Sequence, residues 1–68
     1  HMAAHRFKVG QRVIFHSPRR SVGPSVVTVL RLLPIEGQDL TYRIKATEEG
    51  FERVAKEREL ASLQEENA

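Results

Sequence analysis

Short apolar runs alternate with glycine-centred polar breaks along the whole chain. The four glycines stand at Gly10, Gly23, Gly37 and Gly50, which is 13, 14 and 13 residues apart, in Val-Gly-Gln, Val-Gly-Pro-Ser, Glu-Gly-Gln-Asp and Glu-Glu-Gly contexts. Glycine among turn formers between apolar runs predicts chain reversals, and short strands at regular spacing predict an all-β sandwich or barrel. The residues around the glycines do not repeat, so the pattern is a meander rather than a duplicated unit. Arg12–His16 is β-branched and aromatic and reads as a first strand. Ser25–Leu33 is the most apolar stretch, with apolar residues at 27, 29 and 33 and also at 26, 30 and 32, broken by Thr28 and Arg31. Such a strand is buried on both faces or changes face at a bulge. Pro34, which has no ladder donor, is expected to end it. In Leu40–Lys45, Leu40, Tyr42 and Ile44 alternate with Thr41, Arg43 and Lys45, the cleanest period of two in the chain.

The C-terminal third has two readings. In the first, Phe51–Ala55 is a fourth strand, Lys56–Glu59 a single helical turn too short to stand alone, and Leu60–Leu63 a short closing strand. In the second, one helix runs from Phe51 to Gln64, with Phe51, Val54, Ala55, Leu60 and Leu63 as its apolar stripe. The first agrees with the glycine rhythm and sets the expected architecture. That architecture is mainly β, a small, mostly antiparallel five-stranded SH3-like barrel with one 3-10 or helical turn before the last strand. Closure suits a small chain because it leaves few exposed sheet edges. The expected core is Phe7, Val13, Phe15, Val27, Val29, Leu33, Leu40, Tyr42, Ile44, Val54, Leu60 and Leu63. The barrel is expected over 7–63, between a flexible N-terminus at 1–6, where His1-Met2 reads as a cloning remnant, and a loose tail at 64–68.

Length and composition narrow the class. Sixty-eight residues make one small domain without room for a deep substrate pocket. With no Cys, neither a disulfide framework nor a thiolate zinc site staples it, which fits a reducing compartment and an expected cytoplasmic location. The longest run without a charge is Ser21–Leu30, far below the roughly 20 apolar residues of a membrane span. Net charge is only +2, but its distribution is uneven. Residues 1–35 carry six basic groups and no acid, whereas residues 36–68 carry five basic groups and all nine acids. The two halves either neutralise each other in the fold or leave one face basic.

The order Phe7-Lys-Val-Gly-Gln-Arg-Val13, an apolar strand ending Leu33-Pro34, then Tyr42-Arg-Ile-Lys45, then Glu52-Arg-Val54 with Glu57 and Leu60 behind it, resembles a group of short bacterial proteins of unassigned function with a predicted SH3-like barrel fold. The resemblance runs from Phe7 to Leu63. It implies a long first loop at 16–23, a connection at 34–39 and a 3-10 turn at 56–59, and no particular activity. The aromatic grooves of proline-peptide binders and the cages of methyl-lysine binders need more aromatics than Phe7, Phe15, Tyr42 and Phe51 supply.

Candidate chemistry is sparse. His5 and His16 have no matching carboxylate, and their spacing fits no structural zinc pattern. A Ser17 or Ser21 nucleophile beside His16 lacks an orienting group and an oxyanion hole. No enzymatic activity, cofactor, metal or small-molecule substrate is therefore expected. Arg19 and Arg20, on the Pro/Ser/Gly loop, present planar donor forks suited to phosphate or carboxylate. If Arg12, Arg31, Arg43 and Lys45 share a side, they complete a basic groove. If strands three and four form a hairpin, Arg43, Lys45, Glu52 and Arg53 instead serve a structural role in cross-strand ion pairs, the favoured reading of the two. Phe51, beside the Gly50 turn, either anchors a partner or caps the open end of the barrel. The expected function is a non-catalytic module binding a protein through loops or a strand edge. The competing expectation is a sequence-tolerant nucleic-acid binder using the arginines.

Overall fold

Five antiparallel strands form one sheet in the order β4-β3-β2-β1-β5: β1 Arg12–Phe15, β2 Ser25–Glu36, β3 Asp39–Ala46, β4 Glu52–Lys56 and β5 Leu60–Ser62. A 3-10 turn, Glu57–Glu59, separates the last two. The computed structural model describes residues 4–63; the expected tail at 64–68 and the remnant at 1–2 lie outside them. The strand-turn-strand reading of the C-terminal third is therefore the right one, and the continuous helix from Phe51 is not formed.

β2 makes the curvature. Val27 and Val29 point inward, opposite Ala46 and Ile44. The pairing then shifts between Val29 and Arg31, and beyond that bulge Arg31 faces Arg43 and Leu32 faces Tyr42. One extra residue, Leu30, thus exchanges the two faces of the strand, as its double apolar pattern predicts. Pro34 does not end the strand. A second shift between Leu33 and Glu36 leaves Pro34 and Ile35 outside the regular pairing, where a missing N–H costs no ladder bond. The real reversal is the two-residue Gly37-Gln38 connection between paired Glu36 and Asp39, with Gly37 at φ 63°. That left-handed conformation at the first central position of a tight hairpin calls for glycine.

The curled sheet encloses one core, built from Phe7 and from all five strands: Val13, Phe15, Val27, Val29, Tyr42, Ile44, Ala55 and Leu60. Leu33, Leu40 and Leu63, expected inside, are half-buried. Val54 is a clear correction at 54% exposed, while Ala55 is 1% exposed. The register sets Ala55 opposite Tyr42 and Val54 opposite Arg43, so the inward phase of β4 is 53 and 55. No helix of the described residues is long and apolar enough to cross a membrane.

The N-terminal arm closes one end. His5 and Arg6, outside the expected domain boundary, pack onto it. The His5 ring meets the Tyr42 ring edge-on with centroids 4.9 Å apart. Its Nε2 donates to the carbonyls of Leu33 at 2.9 Å and Thr41 at 3.0 Å. The Phe7 N–H donates to the Tyr42 hydroxyl at 3.2 Å, and that hydroxyl donates to the Glu57 carboxylate. The same carboxylate oxygen accepts the Arg6 N–H at 2.8 Å. Burial, and then the hydrogen bond to Glu57, push the Tyr42 hydroxyl up to about 12.

Candidate functional site

The outer face of the sheet is read directly from the register. One cross-strand row is Arg12–Thr28–Lys45–Glu52, and the next is Arg31–Arg43–Val54. The bulge at Leu30 brings Arg31 into this face, because without it residue 31 would share the inward phase of Val27 and Val29. Four of the basic residues that the sequence left scattered, Arg12, Arg31, Arg43 and Lys45, therefore stand on neighbouring strands and on one face. The acids are mostly elsewhere. Glu36 and Asp39 flank one turn, Glu48 and Glu49 lie at another, and Glu57 and Glu59 sit in the 3-10 turn.

Ion pairing leaves this face largely uncompensated. Arg43 reaches Glu52 at 3.6 Å, with both side chains substantially exposed. Among the described residues, Arg12, Arg31 and Lys45 have no acid within salt-bridge distance. Asp39 instead draws Arg58, at 3.4 Å, and Lys56, at 3.9 Å, to the far end of β3. Arg31 directly opposite Arg43 is a like-charge cross-strand pair, an arrangement that disfavours folding.

The remaining predicted residues fall into a second region. The long first loop and the turn at 47–49 flank a cleft of about 690 Å³ floored by Phe15, Val27 and Ile44. Arg12, Arg19 and Arg53 line it with Glu48 and Glu49, so its charge is mixed. Arg20 is exposed on the same loop but outside the cleft lining. The loop is shaped locally by the Arg19 N–H donating to the Ser17 hydroxyl at 3.1 Å, which commits Ser17 to a turn. Arg53, for which the sequence suggests a cross-strand ion-pair role, forms no such pair among the described residues. It lies over the Phe15 ring at 5.8 Å and occupies the position over the open end that Phe51 was a candidate to fill. Phe51 is 66% exposed and belongs to the surface. The signal for Arg53 lay in the phase of β4, which the conspicuous Val54 disguised.

Among the described residues, no three His, Asp or Glu side chains are gathered to hold a metal ion. No family model, curated protein or solved structure matches the chain.

Proposed function

We propose that the protein is a non-catalytic binding module whose outer sheet face holds the phosphate backbone of a nucleic acid without reading its sequence. The observation carrying this reading is the Arg31–Arg43 opposition, flanked by Arg12 and Lys45 in the adjoining row. A fold gains nothing from facing two guanidiniums across a ladder. An anionic ligand bridging them turns that repulsion into attraction, because the planar forks accept phosphate oxygens in pairs. Base stacking contributes little, since Phe15 lies beneath Arg53 and only Phe51 is free to offer a ring face. The result is affinity without base readout.

The test is a titration with single-stranded and duplex oligonucleotides at low salt, followed by amide chemical shifts. Shifts should concentrate at Thr28, Arg31, Arg43 and Lys45. With about four phosphate contacts, log affinity should fall against log salt with a slope of roughly −3 to −4. Unmoved outer-face amides at millimolar oligonucleotide, or shifts confined to residues 19–24, would overturn this reading. The protein-partner expectation has a separate observation in its favour, the exposed Phe51 and Val54 beside a strand edge.

A further inference from the structure

The two edges of the sheet differ. β5 is only three residues long, and short edge strands template little. β4 has five residues, Glu52-Arg53-Val54-Ala55-Lys56, without proline or glycine. The Ala46 N–H donates to the Phe51 carbonyl, which fixes the alternation along the β3–β4 ladder. Phe51, Arg53 and Ala55 direct their backbone groups to β3, whereas Glu52, Val54 and Lys56 direct theirs away from the sheet. The Lys56 N–H is taken by the Glu59 carboxylate at 2.9 Å. Among the described residues, none of the backbone bonds formed outside the ladders uses Glu52 or Val54.

We propose that this edge pairs with the same edge of a second copy, antiparallel and with the two-fold axis at Val54. The sequence of β4 is self-complementary in that register alone. Val54 meets Val54 of the other copy and carries the backbone pairing. Each Glu52 meets a Lys56, exchanging the pairs that Glu52 makes with Arg43 at 3.6 Å and Lys56 with Asp39 at 3.9 Å. On the inner side, Arg53 faces Ala55. Sliding by two residues sets Glu52 or Lys56 against Val54 and abolishes the charge match. Opposite charges and apolar pairs directly across strands stabilise, and like charges destabilise. The charged residues that guard this edge against an arbitrary strand thus become attractive for one partner, its own copy. The contact is isologous and closes at two subunits.

The axis stands perpendicular to the sheet, so the outer faces of both copies lie on the same side. The row Arg31–Arg43–Val54 then continues into Val54–Arg43–Arg31 of the second copy. The dimer would double the basic face, although its formation does not depend on any nucleic acid.

Sedimentation of the full chain over a range from micromolar to millimolar, without nucleic acid, tests the pairing. A concentration-dependent dimer is expected. Val54→Pro should abolish it, because the lost N–H points away from β3 and proline is tolerated on an edge; amide spectra of β1–β3 report whether the variant is folded. Glu52→Lys and Lys56→Glu should each weaken the dimer roughly tenfold, and the double swap should restore it. If V54P unfolds the chain, the swap alone decides. A monomer at every concentration, or a dimer indifferent to the charge reversals and their recombination, overturns the proposal. Either outcome leaves the oligonucleotide titration as an independent measurement on the outer face.

Discussion

β3 presents two environments in alternate residues. Tyr42 and Ile44 point into the core and have no exposed surface, while Arg43 points outward between Arg31 and Val54, and Lys45 between Thr28 and Glu52. On the inner side the Tyr42 hydroxyl links the Phe7 N–H to Glu57, and no buried side-chain polar atom among the described residues lacks a hydrogen bond. On the outer side Arg31 faces Arg43 without an intervening acid. Both faces use the same strands and the same ladder, so backbone geometry does not explain the contrast. Inner residues answer to burial, where an unpaired group is costly. Thr41, in the outward phase but 4% exposed and donating to the Pro34 carbonyl, still answers to burial. Arg43 and Lys45 are free of that constraint, and their departure from favourable pairing is where function is to be sought.

The contrast is broken most directly by truncating one residue on each side. Ile44→Ala removes a fully buried side chain and should cost about 2–5 kcal/mol, a large fraction of the stability of so small a domain. Val54→Ala, four residues into the C-terminal side of the Gly50 turn and 54% exposed, should change monomer stability by no more than about 0.5 kcal/mol. Urea unfolding of both at a concentration where the chain is monomeric checks the pair. Comparable losses would mean that the outer face is covered after all.

Next in size is the polar node. Tyr42→Phe keeps the ring but strands the buried Phe7 N–H, and should cost about 1–3 kcal/mol. The wild type should also carry a pH dependence that this variant lacks. The hydroxyl titrates near the ordinary tyrosine value of 10 when unfolded, and burial and the hydrogen bond to Glu57 push it up to about 12 when folded. Its raised value favours the protonated, folded state, so the contribution is complete below about pH 10 and is lost as pH rises through about 12. Unfolding midpoints measured from pH 8 upward should fall for the wild type and flatten for Y42F.

Sequence periodicity exposed the inner face and its limits. Alternation in Leu40–Lys45 assigned Tyr42 and Ile44 correctly, and glycine spacing located the reversals, because burial and positive φ leave direct marks on residue choice. The exchange of faces in β2 was visible only as a doubled apolar pattern, since the bulge at Leu30 needs no special residue. β4 misled because its inward residues are a small Ala55 and a cation, Arg53, which covers Phe15 with its length rather than with hydrocarbon alone. Pro34 misled because a bulge makes proline harmless inside a strand. The basic face had all its members in view, but their assembly depends on cross-strand register, a long-range property that local residue preferences do not encode. Arg31 and Arg43 are twelve residues apart in sequence and opposite only because of that bulge.

A smaller effect separates two glycines. Gly37 has φ 63°, and a Cβ there would meet open space. Gly37→Ala should therefore cost about 1 kcal/mol through backbone strain alone. Gly23, with equally open surroundings and no left-handed φ, should gain about 0.4–1 kcal/mol on replacement by Ala, through loss of unfolded-state freedom. Thermal unfolding of the two variants should move in opposite directions. A loss at both would show that the first loop needs glycine for a reason other than backbone sign.

The smallest expected change in stability is the most informative about the outer face, because its sign is unusual. Arg31→Glu replaces a like-charge pair opposite Arg43 by an attractive one. Nothing is buried or uncovered by it, as residue 31 is exposed. Cross-strand charge pairs are worth about 0.2–1 kcal/mol, so the variant should be more stable than the wild type by roughly that amount, and less so at high salt because exposed charges are screened. If the face holds phosphate, the same substitution should weaken oligonucleotide binding and lower the salt slope, since one contact is lost and a repulsive carboxylate takes its place. Stability rising while binding weakens is the outcome expected of a position kept cationic for a ligand. Unchanged or lower stability would place Arg31 in some favourable contact of the folded chain and return the outer face to an ordinary solvated surface.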